Sequence, residues 1–487
     1  MYHDNVHLNR IIREKREAIM KMTERKKLGV FALTIISINT ILGLKNIPFA
    51  ATVGPSAILF WVIAALLYFI PISLIVAELS TTYPDQGGVT AWVERAFGEK
   101  ASFLCGWFYW VANFTYYPSL LLGITVNIAY AINQQQLINN TWVTTLLSLI
   151  IFWVMTLLTL RGTQMSGKLA AIGTPLGLIV PVILIFGFGF VSIFTGHHSA
   201  TEFTASTMMP TNLSLNTVMF LSTLMFAFSG MEMLGTIAED VHQPQKTFPK
   251  TIWISSAIIG GVYILGTIAF QFVINIDPKQ TATALYLFAD QITKQFDLPF
   301  HLTQILGICF VISMLGALSF LILNPTVVFY KSGKNLLPRT LTKINKANMP
   351  ANLILWQAVG VSVILILSGF VPTISDALNM LILMATLAFF IPYVFLICAY
   401  IKLRKQDTQT IRPFKVKNNK VAYSIAGIGL FSVVGTILLT LIPSPGTTVA
   451  QYAPLIIGPI VFALLGFWFY QLGTKGKEKE KPINKAS

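Results

Sequence analysis

Charge is what this sequence has least of. Only 11% of its 487 residues are Asp, Glu, Lys or Arg, less than half the roughly one quarter usual in soluble domains. Histidine is scarce as well, with 6 in the chain. His3, His7, His197, His198, His242 and His301 all fall outside the centres of the apolar runs. There is no His-Glu-x-x-His, no P-loop and no phosphate-cradling glycine pattern, and the neighbours His197 and His198 cannot supply a full metal-ligand set. Together these absences argue against an enzyme and leave no cofactor and no metal to expect. The 3 cysteines, Cys105, Cys309 and Cys398, lie inside apolar runs without metal-ligand spacing. They read as small packing residues, with no disulfide framework.

What is abundant is apolar residues, at 54%, and they are gathered into runs long enough for helices that cross a hydrocarbon core, which takes roughly 20 residues. The runs predict an all-α polytopic membrane protein with spans at 28–53, 56–80, 101–132, 141–160, 169–194 and 215–238. Six more follow at 251–274, 302–330, 351–370, 374–401, 423–441 and 452–472. A β-barrel is excluded because the runs are uniformly apolar and do not alternate in segments of about ten residues.

A net charge of +15 raises the question of nucleic acid, and its placement answers it. Of the 34 Lys and Arg, all but Lys45, Lys279 and Lys294 fall in the two terminal segments or in every second loop. This asymmetry is the positive-inside pattern, with both termini cytoplasmic at a plasma membrane. The basic face therefore meets anionic lipid headgroups, not DNA or RNA. The first 27 residues are polar and basic with no cleavage site after a short apolar region, so the first run is read as a mature helix. Ile11, Ile12, Ile19 and Met20 could line one face of a short interfacial helix, although a solvated tail is the favoured reading.

Two spans are interrupted at mid-membrane depth. The first runs Ile38-Asn39-Thr40-Ile41-Leu42-Gly43-Leu44-Lys45-Asn46-Ile47-Pro48, and the sixth runs Phe226-Ala227-Phe228-Ser229-Gly230-Met231-Glu232. Each break sets a glycine two residues before an ion: Gly43 before Lys45, Gly230 before Glu232. The sixth span also opens a second set of five. Paired interruptions at corresponding positions of two halves point to an inverted-repeat transporter and to its binding site. Unwound backbone survives in a membrane only where protein or a water-filled cavity satisfies it.

These segments carry a resemblance. Lys45-Asn46-Ile47-Pro48, Gly87-Gly88-Val89-Thr90-Ala91-Trp92 with Phe97-Gly98, and Phe228-Ser229-Gly230-Met231-Glu232 stand in an order that resembles the amino acid–polyamine–organocation superfamily. Asn335-Leu336-Leu337-Pro338, Met349-Pro350 and Arg412-Pro413-Phe414 extend it along most of the chain, which looks closest to glutamate/GABA-type antiporters. The resemblance implies two inverted five-helix repeats, with discontinuous helices one and six, plus two extra helices. On that division 1–27 is a basic tail, 28–194 the first repeat, 215–401 the second, 402–472 the last two helices with their basic loop, and 473–487 a second tail. It also implies alternating access, with an amino acid exchanged for another amino acid or its decarboxylated amine. Proton-coupled uptake of an amino acid or polyamine is the alternative, and a sensor without net flux a more distant one. The resembling antiporters have a longer C-terminal segment that plugs the inner mouth in the acid-regulated case. The short charged tail here departs from that, so a tail plug is not expected. A homodimer is compatible with the sequence, which carries no signal for or against it.

Lys45 is the sharpest candidate. An ammonium at this depth is costly, and at the start of a half-helix the dipole also disfavours it. It calls for an anion, either a substrate carboxylate or Glu232; a permanent pair with Glu232, or a lysine reaching to the interface, are the structural alternatives. Glu232, in the first turn after its break, is either a cap for free N–H groups or a coupling carboxylate. The backbone of Ile41, Leu42 and Gly43 and that of Ser229 and Gly230 offer amides to a substrate carboxylate. Aromatic rings can hold an amine, at about 0.5–2 kcal/mol each. The candidates are Phe226, Phe228, Phe320, Tyr109, Trp110, Tyr116 and Tyr117, with Asn113 as a hydrogen-bonding neighbour. In the resembling family, aromatic residues matching Phe226 and Phe320 close over the substrate.

Overall fold

A computed structural model describes residues 27–84, 88–162, 173, 176–209, 215–299, 301–442 and 449–480. The amphipathic face proposed for the first tail, Gly87, the start of the predicted fifth span and the end of the second tail lie outside the described residues.

The described residues form helices and their connections, with no strand among them. Among the described residues ten helices are both long and apolar enough to cross a membrane. In chain order, spans two to five are Gly54–Thr82, Glu99–Ala131, Thr141–Leu160 and Leu176–Phe194. Spans seven to eleven are Pro244–Val273, Leu302–Gly333, Ala351–Ser368, Ile374–Gln406 and Asn419–Thr440, and span twelve lies within Val449–Glu480. Span three falls outside the ten although it is a continuous helix of 33 residues, because its tyrosines, tryptophans and asparagines lower its mean hydropathy. Span one falls outside because it is broken, into Val30–Ile41 and Asn46–Ala51. Span six is among the ten through Phe220–Ala238, yet it too is divided, into an α-helix at Leu215–Ala227 and a tighter 3-10 helix at Met231–Asp240. Both breaks thus fall where the polar residues and glycines put them.

Local chemistry explains several ends. Asn140 starts span four by accepting the N–H groups of Trp142 (3.0 Å) and Val143 (3.3 Å), and Thr373 starts span ten by accepting that of Asp376 (3.1 Å). Within span two, Ala65–Phe69 forms a π-turn just before Pro71, whose ring can neither donate nor fit a regular turn. The wider turn carries Tyr68. Span ten extends beyond the predicted boundary at 401, to Gln406, because Arg404 finds a buried partner, described below. Span twelve likewise continues past 472.

Two helices of more than eight residues outside the spans were not anticipated: α1, Val89–Phe97, between spans two and three, and α2, Ala284–Gln295, between spans seven and eight. Trp92 of α1 is fully buried and seated on Gly235 of span six, where a Cβ would meet its ring at 2.5 Å.

The spans pack as two groups. Span three lies along spans eight and ten, so close to span eight that a Cβ on Gly307 would meet the Ala131 nitrogen at 2.6 Å. Span seven lies along spans one and two, and span two along the second half of span six. The ends of spans one and six are joined directly: Leu28 donates its N–H to Asp240 O (2.7 Å) and accepts that of His242 (2.9 Å). The site lies where these groups face each other.

Candidate functional site

The first break ends cleanly. Leu42 donates the last helical hydrogen bond, to Ile38 O at 2.8 Å. The Gly43 N–H, which has no helical acceptor, donates instead to the Tyr263 hydroxyl of span seven at 3.0 Å, as does Asn46 Nδ2 at 3.1 Å. The single phenolic proton then serves Ile41 O or Ala227 O, each 3.1 Å away. Ile41 belongs to the first break and Ala227 to the second, so one buried hydroxyl holds both. Its ring is fixed by stacking on Trp61, centroids 4.2 Å apart, and by the edge of Phe228 at 5.3 Å.

The second break is built around Glu232. Gly230 takes φ +120°, a conformation open to glycine, and turns its N–H toward Glu232 Oε2 (3.1 Å) and the Tyr393 hydroxyl (3.0 Å). Tyr393 of span ten donates to Glu232 Oε2, and Tyr109 of span three donates to Oε1 at 3.3 Å. Glu232 is 2% exposed. Ser229 is held by Tyr68, from the π-turn of span two, at 2.7 Å between oxygens. The carboxylate therefore caps the break and also ties span six to spans three and ten.

Lys45 does not pair with Glu232. It is exposed, its Nζ lies 5.3 Å from the centre of the Tyr116 ring, and it makes no ion pair among the described residues. A row of rings runs from there to Glu232. Tyr116 meets Phe226 edge-on at 6.2 Å, Phe226 meets Phe389 at 5.8 Å, and Phe389 lies 5.5 Å from Tyr109. The arrangement is bipolar, a free ammonium at one end and a buried carboxylate at the other.

The remaining sequence candidates divide. Phe228 is buried in the packing, stacked 4.6 Å from Phe69. Trp110 stacks on Phe329 at 5.0 Å and donates to Thr326 Oγ1 at 3.2 Å, and the Tyr117 hydroxyl donates to Leu321 O, so both brace span three against span eight. Phe320 is 51% exposed and joins none of these rings. Asn113 is fully buried; its Nδ2 donates to Tyr109 O at 2.8 Å while its Oδ1 has no partner. The amides of Gly43, Ser229 and Gly230 all have protein acceptors here, Ser229 donating to Phe226 O at 3.0 Å. Those of Leu44 and Lys45 make no hydrogen bond among the described residues.

Sequence reading missed Tyr263, Tyr393, Tyr68 and Phe389. The three tyrosines had a signal: a phenol in mid-span must find a partner for its hydroxyl. It also passed over Glu78, which is fully buried within span two. At the basic face Glu78 receives Arg404 Nη1, Arg412 Nη1 (3.2 Å), the Tyr400 hydroxyl (3.1 Å) and the Val416 N–H (2.9 Å). Tyr393, Tyr400 and Arg404 lie on one stripe of span ten, so this stripe holds both of the buried carboxylates among the described residues, Glu232 and Glu78.

Two groups of spans, a pair of broken helices between them and a polar centre at the breaks define a multi-pass membrane transporter and not an enzyme. The comparisons agree. The profile of the amino acid permease family matches residues 28–465, and the chain belongs to that family. An uncharacterized transporter of Legionella pneumophila is 28% identical over 92% of this chain and 97% of its own length. A probable agmatine/putrescine antiporter of Lactococcus lactis is 22% identical over 91% of this chain and 94% of its own. A glutamate/gamma-aminobutyrate antiporter of Lactococcus lactis is 24% identical, covering 93% and 92% respectively.

Proposed function

We propose that the chain is an exchanger, carrying an amino acid one way across the plasma membrane and another amino acid or its decarboxylated amine the other way, with both termini cytoplasmic. The observation that carries the substrate side of this reading is Lys45. Its ammonium is accessible and unpaired, while Glu232 is already committed to Tyr393, Tyr109 and Gly230. A substrate carboxylate supplies the anion that Lys45 lacks, with the unbonded amides of Leu44 and Lys45 beside it. The substrate amine then faces Tyr116 and Phe226, where cation–π attraction contributes about 0.5–2 kcal/mol. A substrate with a second carboxylate, of the kind named for the lactococcal glutamate antiporter, fits this site better than a diamine, which Lys45 repels.

Exchange requires that the empty carrier reorient slowly. The hydroxyl of Tyr263 and the carboxylate of Glu232 join both breaks to spans seven, ten and three, and in this reading a substrate competes for those bonds and eases the change. The second reading, proton-coupled uptake, draws on the burial of Glu232 between two phenols. Liposomes decide between them. Labelled uptake that needs an internal counter-substrate supports exchange, and uptake into empty liposomes under a proton gradient refutes it.

A further inference from the structure

Away from the breaks, the connection after span five and the helix α2 line an open polar cavity of about 530 Å³, within the range of small-ligand sites, about 300–1,000 Å³. Ser192, His197 and His198 line one side of it, and Gln291, Lys294 and Gln295 of α2 line the other. Every polar side chain in this lining can donate a hydrogen bond, and none is a carboxylate. Asp290, one turn back on α2, is the nearest acidic neighbour on that helix and faces Lys294 without an ion pair.

The walls are fixed. Gln295 Nε2 donates to Ser192 Oγ at 3.0 Å, tying α2 to the end of span five. Ala200 N–H donates to Phe272 O at 2.8 Å, which straps the histidine loop to the end of span seven. His197 Nδ1 is engaged by Thr195 Oγ1 at 2.7 Å, which leaves Nε2 as its free nitrogen. An imidazole donates at least one N–H in either protonation state. By the charge asymmetry this face lies opposite the basic one, and Lys279 and Lys294 are the lysines its loops hold.

We propose that this cavity binds a small anionic group, a carboxylate or a phosphate, held by Lys294, His197 and His198 from opposite sides. An anion there links α2 to the ends of spans five and seven. On its opposite side α2 is anchored to span three: Tyr286 stacks on Tyr130 at 3.8 Å and donates to Asn127 Oδ1 at 2.6 Å. Occupancy thus stiffens a cover that reaches from one group of spans to the other. Two sources supply the same chemistry, a dissolved anion and the headgroup of an anionic lipid.

The test is thermal unfolding of the full chain in two settings. In detergent, sodium phosphate is compared with sodium chloride at matched ionic strength; in nanodiscs, phosphatidylglycerol is compared with phosphatidylcholine. The variants are His197→Gln/His198→Gln/Lys294→Gln, and Lys45→Gln at the central site. The wild type and Lys45→Gln are expected to gain stability in at least one setting, and the triple variant to need on the order of tenfold more anion for the same gain. A gain with phosphate identifies a dissolved anion, and a gain with phosphatidylglycerol alone identifies a lipid. No gain in either setting, an equal gain in the triple variant, or loss of the gain in Lys45→Gln overturns the proposal.

Discussion

Replacing Glu78 with glutamine removes one negative charge from a place where two arginines depend on it. The side chains of Glu78, Arg404 and Arg412 are 0%, 1% and 6% exposed. Removing one partner of a buried pair costs about 3–5 kcal/mol, because the remaining charge stays buried without compensation. Arg404 keeps three other acceptors, Asn419 Oδ1 at 3.1 Å, Val416 O at 2.6 Å and the Tyr400 hydroxyl at 3.1 Å, and Arg412 keeps Leu403 O and Asp407 O at 3.0 and 3.1 Å. That places Glu78→Gln near the lower end, about 3 kcal/mol. In detergent, read by tryptophan fluorescence, the unfolding midpoint should fall by several degrees. Adding Arg404→Met should recover part of the loss, since an apolar residue does not require the missing anion. A midpoint unchanged within a degree, or a double variant worse than the sum of the two singles, would refute the claim that Glu78 is the compensating charge.

Tyr263→Phe removes the hydroxyl shared by both breaks and leaves the Gly43 N–H unpaired. A buried donor without an acceptor costs about 1–3 kcal/mol, so substrate-driven exchange should slow by at least fivefold while the protein still folds on the ring stacking that remains. Gly235→Val forces a branched side chain into the Trp92 ring and should displace α1, seen as faster hydrogen exchange across 89–97. Asp407 lies beyond span ten, where the Tyr83 hydroxyl (2.7 Å), Thr410 and, less strongly, Arg412 hold its carboxyl down to about 2. Its stabilising effect is full above the ordinary carboxylate range and is lost as pH falls through about 2. Tyr83→Phe should move that loss to higher pH, read as acid-induced hydrogen exchange in 407–418.

The sequence made the spans legible because hydrocarbon is an unforgiving solvent: apolar runs and the placement of lysine and arginine suffice for a twelve-span reading. It made the breaks legible for the same reason, since Gly43, Lys45, Ser229 and Glu232 are expensive at that depth. Its reach ended where partners come from distant spans. Tyr263 serves Gly43 from 220 positions away, and Tyr393 serves Glu232 from 161. No local pattern records such pairings. Aromatic residues were the least readable, because Phe226 beside Tyr116 and Phe228 stacked on Phe69 differ in surroundings, not in type. Nor could the sequence choose between the two anions offered to Lys45. In the proposed reading that choice turns on Tyr109 and Tyr393 already filling the carboxylate of Glu232.

The most direct test is exchange in liposomes preloaded with one amino acid or amine at a time, for the wild type and Lys45→Ala. The account predicts labelled uptake only with particular internal substrates, and a loss in Lys45→Ala that is severe for substrates bearing a carboxylate and slight for diamines. Uptake by empty liposomes under a proton gradient, or a Lys45→Ala variant that carries carboxylate substrates as well as the wild type, would contradict it.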